Sequence, residues 1–77
     1  NYLEMIRRDF HGYLLDDAIH EVEMIIGDVR NRGMSEEVEF ITGHGKIQIA
    51  IMELFNDYQI SSNIQLSNTG VVVATIE

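Results

Sequence analysis

Asp9 and His11 stand two residues apart, and in an extended segment two such side chains point to the same side. A carboxylate beside an imidazole selects its tautomer and holds its orientation. A histidine held in this way can act as general base on a ribose 2′-hydroxyl or a water, or as general acid on a leaving oxygen. The competing role is structural: Asp9 caps a turn and His11 bonds to backbone at a strand-to-helix corner. Gly12 follows and serves that turn by allowing positive φ.

A second set lies farther along, at Thr42-Gly43-His44-Gly45-Lys46. Its two flanking glycines let the backbone approach a ligand closely. Free N–H groups at a helix start attract an anion, and Lys46 adds a point charge for phosphate. His44 could contact a phosphate or stack on a base. The G-x-x-x-x-G-K-S/T spacing is missing, so this is not a P-loop, and an ordinary glycine-rich turn is the competing role. Asp9, His11 and His44 could in principle hold a metal, but no tight ligand spacing supports one. No metal and no cofactor are therefore assigned. His20 falls beside an apolar helical stripe, as a surface or boundary residue would. Met5, Met24, Met34 and Met52 are scattered and read as packing or surface residues.

The elements that must position these residues follow from hydrophobic period. Met5 to Phe10 is a short strand. From Leu15 to about Arg32, apolar residues fall at Leu15, Ala18, Ile19, Val22, Ile25, Ile26 and Val29, the spacing of an amphipathic helix. Asp16 and Asp17 lie in its first turn, and Gly33 is a natural stop. Val38 to Thr42 is a second strand. Ile47, Ala50, Ile51, Leu54, Phe55 and Tyr58 mark a second helix. Ile60, Ser62, Ile64 and Leu66 alternate with polar residues as in a half-buried strand. Asn68-Thr69-Gly70 is a turn, and Val71 to Ile76 is a last strand, apolar on both sides and so central.

The resulting order, β-α-β-α-β-β, is that of an α/β two-layer sandwich with both helices on one face of a four-stranded sheet. Its core is expected at Phe10, Ile19, Val22, Ile26, Val38, Phe40, Ile51, Leu54, Phe55, Ile64 and Val73. Right-handed crossovers bring the C-terminal ends of the first two strands to one edge, where ligands of such sheets bind. Asp9, His11, Gly43 and Gly45 should cluster there.

Seventy-seven residues make one domain with one small core. A start at Asn1 rather than Met leads us to expect a domain excised from a longer chain. The chain has no cysteine, so no disulfide framework and no thiolate metal site. It has no long apolar run and no signal-peptide pattern, so no membrane association is expected and the cytoplasm is the default location. A net charge of −8 argues against broad, non-specific nucleic-acid binding. Charge location matters too: Arg7, Arg8 and Lys46 lie in or beside the two motif segments, a small basic spot on an acidic body.

The ordered pair of segments resembles the small MutS-related (Smr) domain family. That family carries an L-D-x-H-G segment leading into its first helix and a T-G-x-G or H-G-K/R-G segment leading into its second. The matching residues are Arg8-Asp9-Phe10-His11-Gly12 and Thr42-Gly43-His44-Gly45, and Gly12 to Ile19 also looks like the family's G-L-T-L-D-E-A-I. The resemblance spans about Ile6 to Ile76, which makes residues 1–77 a single Smr-like domain. It implies a fold like the C-terminal domain of translation initiation factor three, with sheet order 1-2-4-3 and the fourth strand antiparallel. It also implies nucleic-acid binding, with endonuclease activity that nicks DNA or cleaves RNA. Asp9 and His11 would be the acid-base pair, and Arg7, Gly43, His44, Gly45 and Lys46 would contact the nucleic acid. Arg8 departs from the apolar residue usual in the family, which an edge strand tolerates. Leu14 stands where a helix-capping Thr is common, so Asp16 is expected to cap or the helix to start late. A non-catalytic nucleic-acid-binding module and a protein-interaction module of the same fold are the alternatives, and the acidity favours the latter.

Overall fold

The computed structural model describes residues 5–77. Six elements follow one another: β1 (Met5–Asp9), α1 (Leu15–Asn31), β2 (Glu36–Ile41), α2 (Lys46–Asp57), β3 (Ser62–Ile64) and β4 (Val71–Ile76). The sheet order is β1-β2-β4-β3. β1 and β2 run parallel, while β4 is antiparallel to both of its neighbours, β2 and β3. The doubly apolar β4 is therefore central, as its composition requires.

Both helices cover one face of the sheet. Ala18, Val22, Ile26 and Val29 of α1 and Ile51 and Phe55 of α2 join Phe10, Val38, Phe40, Val72 and Ile76 in one buried cluster. Phe10 meets Phe40 edge-on at 5.4 Å, and Phe40 stacks on Phe55 at 6.0 Å, geometries that aromatic quadrupoles favour. Ile19 and Leu54 pack against this cluster while remaining partly exposed.

Two expected core residues lie elsewhere. Val73 pairs in register with Glu39 and Asn63, on the sheet face away from the helices. The helix-facing phase of β4 is Val72, Ala74 and Ile76, because Val72 is the residue opposite Phe40. A strand apolar on both faces carries no alternation to reveal which phase points inward. Ile64 remains 39% exposed, because β3 is a three-residue edge strand rather than a run from Ile60 to Leu66. Ile60 instead closes the end of α2 and is buried, whereas Leu66 is fully exposed.

The helix ends set the loop geometry. Leu14 occupies the N-cap of α1 and no side chain caps it, so Asp16 does not take that role; Asp16 and Asp17 lie in the first turn instead. There their charges favourably oppose the helix dipole. At the other end, the Gly33 amide donates to the Arg30 carbonyl and the Met34 amide to that of Val29. Gly33 has φ +64°, the left-handed residue this stop requires.

Candidate functional site

Asp9 pairs with Ile41 in the parallel register of β1 and β2, and the Phe10 amide donates to the Ile41 carbonyl at 2.9 Å. The two strands thus end together, and the Phe10–Leu14 and Thr42–Gly45 loops leave from the same sheet edge. Ile41 also pairs with Val71, the first residue of β4. The Asn68-Thr69-Gly70 turn therefore arrives at this edge as a third segment.

His11 sits on a tight turn. The Tyr13 amide donates to the Phe10 carbonyl at 3.0 Å, and Gly12, the third residue of that turn, has φ +80°. A turn with positive φ at its third position calls for glycine. The Asp9 Oδ1 accepts the backbone amide of His11 at 2.9 Å. Of the two roles open to Asp9 from the sequence, holding the imidazole or capping a turn, its carboxylate takes the second and shapes the backbone of the turn. The His11 ring is exposed and makes no hydrogen bond or ion pair among the described residues.

The second loop is docked on the third segment. The Thr42 and Gly43 amides both donate to the Gly70 carbonyl, at 2.9 and 3.0 Å. Gly43 takes φ +71° to make this turn. His44 Nε2 lies 2.8 Å from Thr69 Oγ1, and Gln48 Nε2 donates to the Thr69 carbonyl at 2.8 Å. Asn68, Thr69 and Gly70 are thus part of the assembly, as is the buried Gln48. The sequence marks the first three only as a turn. The one signal for Gln48 is an amide three residues before Ile51 on an apolar helical stripe. Gly45 is the N-cap of α2, with no side-chain cap and no acidic residue in the first turn. Of the two helix starts at this edge, α1 supplies its own carboxylates and α2 does not.

The basic residues are mostly spoken for. Arg7 bonds Glu39 at 3.1 Å on the sheet face away from the helices. It lies back along β1 rather than in the loop cluster. Arg8 reaches Glu21 of α1 at 3.3 Å, Arg32 bonds Asp28 and Glu36, and Arg30 donates to the Tyr58 and Glu77 carbonyls. Lys46, exposed at the start of α2, is the one basic side chain with no hydrogen bond or ion pair among the described residues. Beside the first loop, the Tyr13 hydroxyl donates to Glu21 Oε1 at 3.1 Å. That hydrogen bond, with the Glu21 charge, raises the phenol above its ordinary pKa.

A concavity of about 530 Å³ lies at the opposite end of the sheet, among residues such as Met5, Arg30, Glu37, Gln59, Ser61 and Thr75. None of the motif residues lines it. His11 and Lys46 are both exposed, so chemistry at the loop edge would occur on an open surface. Among the described residues, no group of three or more His, Asp or Glu is gathered to hold a metal, and no helix is long and apolar enough to cross a membrane. Comparison of the chain with family models, curated proteins and solved structures returns no match.

Proposed function

We propose that this chain is an Smr-type nucleic-acid-binding domain that cleaves a phosphodiester at the edge where β1 and β2 end. His11 would move the proton, as base on a 2′-hydroxyl or water, or as acid on the leaving oxygen. Lys46 and the uncapped amides at the start of α2 would receive a phosphate. Asp9 would act through the turn it closes rather than on the reacting atoms. The observation that carries this proposal is the pairing of Asp9 with Ile41, which sets an exposed, unpartnered imidazole on the loop beside the glycine-lysine loop. An acid-base group must be reachable and uncommitted before it can transfer protons.

A second reading draws on charge. Thirteen acidic residues against five basic ones favour a module that binds a protein partner through its acidic surface. One experiment separates the two: incubate the protein and His11→Ala with single-stranded, duplex and structured DNA and RNA, with and without divalent metal, and follow the products. Cleavage that falls about a hundred- to ten-thousand-fold in His11→Ala, with affinity retained, is the expected outcome. Binding without cleavage would leave the non-catalytic nucleic-acid module. Neither binding nor cleavage on any substrate would leave the protein-interaction reading.

A further inference from the structure

We propose that Thr69 is a positioning residue for His44, setting which ring nitrogen the site presents. This rests on the reading that the Thr42–Gly45 loop contacts nucleic acid. His44 stands between two glycines, the backbone least able to restrain a side chain by itself. Its restraint comes from another part of the chain, through the 2.8 Å contact between His44 Nε2 and Thr69 Oγ1. Thr69 is itself held from both sides. Gln48 of α2 donates to its carbonyl at 2.8 Å. The neighbouring Gly70 carbonyl accepts two amides from the His44 loop, and the Gly70 amide donates to Asn68 Oδ1 at 3.1 Å.

With Nε2 engaged by the hydroxyl, Nδ1 is the nitrogen left for a ligand. The hydroxyl can donate to Nε2 or accept from it, so the contact holds the ring in one orientation with either tautomer. A hydroxyl carried on a fixed backbone therefore sets that orientation before any ligand arrives. A preset group loses less conformational entropy on binding than one that must be ordered by the ligand. Gln48 joins this arrangement through the Thr69 backbone, so it would hold the threonine and not touch the ligand.

The test compares Thr69→Val, which keeps the side-chain shape and removes the hydroxyl, with Thr69→Ser, which restores the hydroxyl. Side-chain couplings and proton cross-relaxation of the His44 ring, measured without nucleic acid, report its orientation. One orientation should predominate in the unmodified protein, several should appear in Thr69→Val, and Thr69→Ser should return to the single form. Affinity for a labelled single-stranded oligonucleotide should fall about three- to ten-fold in Thr69→Val and recover in Thr69→Ser, as loss of one hydrogen bond implies. A ring orientation unchanged in Thr69→Val, or a Thr69→Ser protein that behaves like the valine variant, overturns the proposal. Spectra that respond as expected while no form of the protein binds the oligonucleotide uphold the positioning and overturn the nucleic-acid reading.

Discussion

Tyr13 and Glu21 place a hydrogen bond beside the turn that presents His11, with Arg8 on the other oxygen of the same carboxylate. The phenol donates only while protonated, so the bond favours the neutral form and raises the pKa. The contribution to stability is present below the unfolded tyrosine pKa and is lost as pH rises through the higher folded one. The contribution is therefore present at neutral pH and disappears only under alkaline conditions. Titrating tyrosinate absorbance, with Tyr13→Phe subtracted to isolate this ring, should show its midpoint move to lower pH in Glu21→Gln. An unmoved midpoint would mean that the bond is not made in solution. Asp9 carries a different lesson at this scale. Its partner is a backbone amide, and the D-x-H spacing that invites a catalytic pair equally suits a carboxylate closing a turn.

The two helices end in the same way with different residues. Gly33 takes the left-handed position after α1; after α2 that position belongs to Gln59, at φ +60°. The Gln59 amide donates to the Asn56 carbonyl and the Ile60 amide to that of Phe55 at 2.8 Å, the six-to-one bond of a Schellman stop. Ile60 and Phe55 are both buried, which supplies the apolar contact usual in that motif. A side chain with a Cβ in left-handed backbone costs roughly 1–2 kcal/mol, part of which glycine offsets through its freer unfolded state. Gln59→Gly should therefore stabilise the domain by about 1 kcal/mol, read as a higher denaturant midpoint with an unchanged slope. A lower midpoint would show that the glutamine side chain makes a contact worth more than the strain.

Taken whole, the molecule is acidic, and four of its five basic side chains are engaged within the fold. A surface with one uncommitted cation, Lys46, can neutralise about one phosphate. Salt dependence measures that number: the slope of log affinity against log salt should be about −0.7 to −0.9 for the unmodified protein and near zero in Lys46→Ala. A slope several-fold steeper would mean that arginines leave their carboxylates on binding. The same charge balance bears on which nucleic acid the proposed site would take. One phosphate contact cannot hold a long duplex against net repulsion, so local contacts at the loop edge would have to supply the affinity.

Local pattern by itself determined the kind and order of the elements, the loops that hold the motif residues, and the meeting of the first two strand ends. These follow from side-chain period, from glycine at positive φ in the turn after β1, and from the handedness of parallel crossovers. Three things only the tertiary structure decided. The inward phase of β4 fell to Val72 rather than Val73, because a doubly apolar strand takes its phase from its partner, here Phe40. Asp9 went to an amide rather than a ring, because the backbone angles of the turn bring the His11 N–H to its carboxylate. Thr69 and Gly70 joined the His44 loop across 25 and 28 residues of sequence. That contact exists only because β4 runs antiparallel to β2 and begins where β2 ends, and strand pairing at such a separation leaves no periodic trace in the chain.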